Sequence, residues 1–297
     1  MIYDEKFYAF KLTPQYEYHP QINFLSTDSA KEYAQNVKKK GKDWEWFKKE
    51  ITYNLNSLGY RTKEIDDLKD DYILALGCSY TEGIGLNEED IYINKLGKHF
   101  NLDVFNLAHG GMGIDYCFYN TINYLKSLKK YPKLVVYQWP FETRKLFMYA
   151  NKITEYFGGF DLIPPYYGNS GFSSSRKMLS RNQQYLLDKD DEWYEDRFLA
   201  DEGEIMINLL FYIDTCNMIW ENLNIPVFNF HWPAGDKEKT VYYNFMLNKK
   251  YPFFLYEINI DLARDLKHAG VKSHEHLTSL ILKDLNENKI YPKERLL

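Results

Sequence analysis

Residues 72–83 read Tyr72-Ile73-Leu74-Ala75-Leu76-Gly77-Cys78-Ser79-Tyr80-Thr81-Glu82-Gly83. Five apolar residues without a polar interruption, closed by a glycine, predict a short strand buried on both faces, as in a parallel sheet covered by helices. The turn that follows carries Ser79 just past the strand's carboxyl end, where open α/β sheets bind their ligands. Gly77 lets the backbone bend there. A serine hydroxyl in such a turn either caps the next helix or, given an adjacent base, acts as a nucleophile.

Working outward, the same texture recurs. Asp103 to Leu107, Lys133 to Trp139 and Pro226 to Phe230 are further strand segments, and 91–100, 114–128, 205–223 and 273–286 have helical periodicity. Strands alternating with helices of this length predict parallel crossover units, hence an α/β fold with a mainly parallel sheet between two helical layers. The main domain spans 71–290, followed by a tail at 291–297. Between 144 and 203 the alternation breaks down into an aromatic-rich insertion with Gly158-Gly159, Pro164-Pro165 and Ser173-Ser174-Ser175. Long connections of this kind serve as substrate-side caps, surface decoration or subunit contacts. Residues 1–70 read as an amino-terminal extension. Ser29 caps a helix through Lys40, and Asp43 caps a second one carrying Trp44, Phe47, Ile51 and Leu55. This extension either wraps the main domain or docks to another chain.

Composition excludes several classes. The 297 residues carry 37 Lys+Arg against 42 Asp+Glu, a formal charge of −5, which argues against a nucleic-acid partner. No apolar run is long enough to span a bilayer, and the first residues lack the features of a secretory signal, so a cytoplasmic location is expected. Cys78, Cys117 and Cys216 form neither a CxxC pair nor a disulfide framework. Aromatic residues make up 18% of the chain; most belong to the core, and the remainder suit a groove that stacks on sugar rings. His274-Glu275-His276 places its two imidazoles on different helix faces, so no metal is expected, and without a phosphate-cradling or dinucleotide-binding glycine motif no other cofactor is expected either.

Two other segments carry chemistry. Asp265-Leu266-Lys267-His268 sets a carboxylate three residues before an imidazole, within reach of Nδ1 around one turn. Asn106-Leu107-Ala108-His109-Gly110-Gly111-Met112-Gly113 follows the second strand, and its glycines allow backbone N–H groups to approach a ligand oxygen.

In chain order the three segments resemble the SGNH (GDSL-type) hydrolase family. Gly77 to Gly83 is similar to its first block, with the nucleophile at Ser79. Asn106 to Gly113 is similar to its second, with an oxyanion-binding glycine at Gly111, and Asp265 to His268 to its closing Asp-x-x-His block. The resemblance covers roughly residues 70 to 290. It implies a flavodoxin-like α/β/α hydrolase in which Ser79 attacks an ester carbonyl, His268 takes its proton, Asp265 orients His268, and the Ser79 and Gly111 amides bind the oxyanion.

Two positions depart from that pattern. Cys78 stands where the family has Asp and is a rival thiol beside Ser79. After the third strand no Asn occupies the turn where the family places an oxyanion donor; Gln138 carries the same amide and is the candidate substitute. Tyr80, His231, Trp139 and Arg144 are the candidate substrate-lining residues. The function expected is a serine esterase acting on a small acyl ester, such as an O-acetyl group on a carbohydrate. The alternatives are an acyltransferase, or an inactive binding or structural subunit that assembles through residues 1–70 as a homo-oligomer or in a larger particle, including a virion.

Overall fold

The computed structural model describes residues 20–126, 130–140, 147–149, 161–163, 202–232 and 251–292. Strand β1 (Gln21–Ile22) pairs antiparallel with β2 (Tyr53–Asn54), and helix α1 (Ala30–Lys40) lies between them in sequence. Ser29 caps α1 by accepting from the Glu32 amide at 3.2 Å. The apolar run becomes β3 (Tyr72–Leu76), all five residues of it fully buried, and leads into a single helical turn, α2 (Ser79–Glu82). There follow α3 (Tyr92–Phe100), β4 (Asp103–Asn106), α4 (Ile114–Lys126), β5 (Leu134–Trp139), and a two-stranded ribbon of β6 (Phe147–Tyr149) and β7 (Asp161–Ile163). The order closes with α5 (Glu202–Asn222), β8 (Val227–His231), β9 (Phe253–Leu255) and α6 (Val271–Glu287).

The main sheet runs β4-β3-β5-β8-β9, and every pairing in it is parallel. Period-two alternation divides its side chains between two cores. Tyr72, Leu74, Leu76, Val135 and Tyr137 face Ile114, Tyr116 and Cys117 of α4 and Cys216 and Trp220 of α5. Ile73, Ala75, Val136, Phe228 and Phe230 face Tyr92, Ile93 and Leu96 of α3 and Leu277, Ile281 and Leu285 of α6. The result is a three-layer α/β/α sandwich with the flavodoxin-like strand order, in which the chain reverses its winding between β3 and β5. Ser79 follows the carboxyl end of β3, at that reversal.

The segment 20–70 shares these cores. Trp46, Ile51 and Tyr53 are buried in one and Tyr60 and Leu68 in the other, so it wraps the sheet. The expected helix from Asp43 does not form. Gly41, at φ +79°, ends α1, and turns carry the chain to β2. Ile51 and Tyr53 are buried on either side of a half-buried Thr52, the period of a strand rather than a helix. Among the described residues no helix is long and apolar enough to cross a membrane, and all three cysteines are free and buried.

Candidate active site

The turn after β3 is held by crowding as well as by hydrogen bonds. A side chain at Gly77 would come within 2.5 Å of Thr81 Oγ1 and 2.8 Å of Gln138 Oε1, so only glycine fits. Gln138 Oε1 accepts from the Cys78 amide at 3.0 Å, the Cys78 thiol at 3.1 Å and the Thr81 hydroxyl at 3.2 Å. Its Nε2 donates to the Trp232 carbonyl at 2.8 Å. Gln138 therefore locks β5, the end of β8 and the turn that bears Ser79 together. Its expected role as an oxyanion donor is corrected: the amide is fully buried and already engaged.

Cys78 is fully buried with its thiol turned to Gln138, whereas Ser79, the first residue of α2, turns its hydroxyl to the imidazole of His268. Ser79 Oγ lies 2.8 Å from His268 Nε2, and His268 Nδ1 lies 2.6 Å from Asp265 Oδ2. A carboxylate can only accept here, so Nδ1 carries the proton and Nε2 is left to accept from the serine. The second carboxylate oxygen, Oδ1, takes the Lys267 and His268 amides at 3.0 Å each. This tight loop requires Leu266 to adopt φ +57°.

Burial alone would raise the Asp265 carboxyl, but the hydrogen bond and charge of His268, with donors from Thr27 and the Lys267 amide, outweigh it and hold the group at about 2. Its depression below an ordinary aspartate corresponds to about 2–3 kcal/mol. The sign is that of a carboxylate stabilised in the folded state: the contribution is complete above about pH 4 and is lost as pH falls through 2. Urea unfolding of wild type and Asp265→Asn across this range is expected to show a stability difference at pH 6 that closes by pH 2. A difference independent of pH would contradict the assignment.

The second glycine turn lies against the serine. Asn106 Nδ2 donates to the Thr81 carbonyl at 2.8 Å, and its Oδ1 accepts from the Ala108 amide at 3.1 Å. Gly111 has φ +83°, a conformation that disfavours any Cβ. The N–H groups of Ser79 and Gly111 have no hydrogen-bond partner among the described residues. Glu82 braces this turn: its buried carboxylate accepts from the Gly110 amide at 2.7 Å and meets His109 Nδ1 at 3.2 Å. The Ser-x-x-Glu spacing on one helical turn held that signal, but no partner could be assigned from sequence.

Of the candidate substrate-lining residues, Tyr80 packs its edge against His268, with centroids 5.1 Å apart, and against Trp232 at 4.8 Å. His231 is buried, with Nδ1 2.8 Å from the Trp139 carbonyl. Trp139 is corrected: its ring is fully buried, stacked on Tyr137 at 4.4 Å, and its Nε1 donates to Asn229. Arg144 and most of the 144–203 insertion lie outside the described residues. Burial pushes His274 down to about 3; this neutral imidazole accepts the Tyr92 amide at 3.1 Å. Among the described residues no cluster of three or more His, Cys, Asp or Glu could hold a metal. A cleft of about 450 Å³ lined by Asn217, Glu221, Pro226, Tyr251 and Lys289 opens at the amino end of β8, the opposite end of the sheet from Ser79.

No protein-family model matches the chain, and no curated protein matches it. Similar solved structures include a family two carbohydrate esterase from Clostridium thermocellum in complex with cellohexaose, at 13% identity and a TM-score of 0.43, covering 75% of this chain and 66% of that one. An acetyl xylan esterase from Butyrivibrio proteoclasticus is similar at 12% identity and a TM-score of 0.40, covering 82% of this chain and 68% of that one. A lipolytic protein of the G-D-S-L family from Desulfitobacterium hafniense is similar at 10% identity and a TM-score of 0.40, covering 73% of this chain and 99% of that one.

Proposed function

We propose that the protein is a serine esterase that cleaves a small acyl ester. The observation that carries this reading is the unbroken run from Ser79 Oγ through His268 to Asp265, with gaps of 2.8 and 2.6 Å, at the sheet edge where α/β folds bind ligands. The first is the distance of a hydrogen bond able to pass a proton, and the second that of one able to orient the imidazole and stabilise its charged form.

In the first step Ser79 Oγ bonds to the acyl carbon while His268 Nε2 takes the hydroxyl proton, and the carbonyl electrons move onto oxygen. The N–H groups of Ser79 and Gly111 are the donors for that oxyanion. Asp265 stays ionised and stabilises the imidazolium without taking its proton. Collapse of the tetrahedral adduct breaks the bond to the alcohol oxygen, which leaves with the proton from Nε2. Water, deprotonated by the same nitrogen, then releases the acid and restores Ser79. The acyl-bearing partner is proposed to be a carbohydrate, on the strength of aromatic residues in 144–203, such as Tyr166 and Tyr167, whose ring faces suit sugar surfaces.

The test is incubation with a fluorophosphonate probe, p-nitrophenyl acetate and an acetylated polysaccharide. Labelling at Ser79 with acetate release from both esters is expected. Acetate from the nitrophenyl ester alone would retain the esterase and discard the carbohydrate. One observation favours a second reading: with Gln138 committed to Trp232, β5 supplies no side-chain donor to the oxyanion. A binding protein that has kept the fold without the reaction would give no labelling at all.

A further inference from the structure

Leu25 and Asp28 exchange two backbone hydrogen bonds of 3.0 Å each, closing a tight turn with Ser26 at φ +55°. This turn belongs to the segment before α1, yet it lies against the candidate site. A Cβ at Gly110 would sit 3.6 Å from Ser79 Cβ and 3.7 Å from Ser26 Oγ. Thr27 Oγ1 donates to Asp265 Oδ2 at 2.6 Å across 238 positions of sequence.

We propose that Thr27 is a positioning residue for Asp265, fixing the carboxylate oxygen that accepts the hydrogen bond from His268 Nδ1–H. The proposal rests on the reading of Ser79, His268 and Asp265 as the reacting set and extends it to the amino-terminal segment.

An ionised carboxylate offers about four acceptor sites, and those of Asp265 are filled. Oδ1 takes the Lys267 and His268 amides; Oδ2 takes His268 Nδ1 and the Thr27 hydroxyl. The first three donors come from the loop that bears Asp265. Two of them bind Oδ1 and hold one edge of the group, and among the described residues Thr27 alone reaches Oδ2 from outside the loop. With it present the carboxylate cannot turn about its Cβ–Cγ bond without breaking a short hydrogen bond. Without it, a buried lone pair goes unsatisfied, and Oδ2 has only the imidazole it is meant to orient. The turn itself cannot drift, because the adjacent Asp28 grips Arg264 Nη2 at 2.7 Å, and Asn36 Nδ2 holds the Arg264 carbonyl at 3.1 Å.

The experiment compares full-length wild type, Thr27→Val and Thr27→Ser. Valine keeps the shape and removes the hydroxyl; serine keeps the hydroxyl. Loss of a hydrogen bond to a charged group corresponds to about a 10–100-fold fall in kcat for p-nitrophenyl acetate, with KM nearly unchanged and recovery in the serine variant. The far-downfield proton resonance of the His268–Asp265 hydrogen bond is expected in wild type and Thr27→Ser and lost in Thr27→Val. Equal kcat in wild type and the valine variant would overturn the proposal. If the wild type turned over no ester, the esterase reading would fall by itself and the resonance would decide. A signal lost only in the valine variant would sustain the positioning role; one indifferent to valine, or missing from wild type, would end it.

Discussion

Ser79→Ala is expected to lower kcat for p-nitrophenyl acetate by about 10⁴–10⁶-fold, and His268→Ala by a comparable amount, because groups that act as a unit lose nearly everything with the first deletion. The double alanine variant is therefore expected to be little worse than either single one. In the proposed reaction the hydroxyl and the imidazole, 2.8 Å apart, supply one function between them, since a nucleophile and its base are each idle without the other. Ser79 is the first residue of α2 and Cys78 its cap, and the Ser79 hydroxyl caps nothing. Alanine there should leave the fold intact, as circular dichroism would verify. Cys78→Ala is the matching control. Its thiol is buried against Gln138, so probe labelling and turnover should persist at the same site. Activity within tenfold of wild type in either Ser79→Ala or His268→Ala would place the nucleophile elsewhere, and loss of labelling in Cys78→Ala alone would move it to the thiol.

The sheet was legible because a strand covered on both faces leaves a local trace. Residues 72–76 are an unbroken apolar run, and 134–139 and 227–231 are mostly apolar segments interrupted by Gln138, Asn229 and His231; all three pair in the parallel order their spacing implies. β9, Phe253–Leu255, left almost none, being three half-buried residues behind Pro252. The helix expected from Asp43 failed for the converse reason. Trp44, Phe47, Ile51 and Leu55 sit near helical spacing, but burying Trp46, Ile51 and Tyr53 against the sheet outweighs the modest free energy of a helix of that length.

In the site, Ser79, Asp265 and His268 were legible because each lies within a short motif next to an element boundary. Thr27, Asp28 and Arg264 were not. They meet across 236–238 positions, and no local pattern marks a residue that acts only through a distant partner. Gln138 shows the limit from the other side: its position was readable, but its role depended on which way the amide faces, and the carbonyl of Trp232 decides that.

Breaking the Asp28–Arg264 pair from one side is expected to destabilise the protein by about 3–5 kcal/mol, because it strands a charge in a dry interior. Both side chains are buried, with 0% and 3% exposure. Asp28 Oδ1 accepts from Arg264 Nε at 2.9 Å, and Oδ2 accepts from Nη2 at 2.7 Å and from the Tyr53 hydroxyl at 2.5 Å. Burial, reinforced by the Asp28 charge, pushes the Tyr53 hydroxyl up, keeping it a donor. The guanidinium also donates to the Asn23 carbonyl at 2.6 Å and lies over the rings of Phe24 and Tyr33. Asp28→Ala removes the acceptor from a cation that has no route to water, and Arg264→Met removes the donor from an anion in the same position, so urea unfolding should report large losses for each. The double variant Asp28→Leu/Arg264→Met should regain most of that stability, since apolar groups of similar volume need no partner. The same contacts tie residues 23–53 to the loop bearing Asp265, so limited proteolysis of the single variants should begin within that segment while the β3–β5 core resists. Losses below about 1 kcal/mol in both single variants are what a solvent-relaxed surface pair would give; in that case the amino-terminal wrap is held by Trp46, Ile51 and Tyr53 in the apolar core instead.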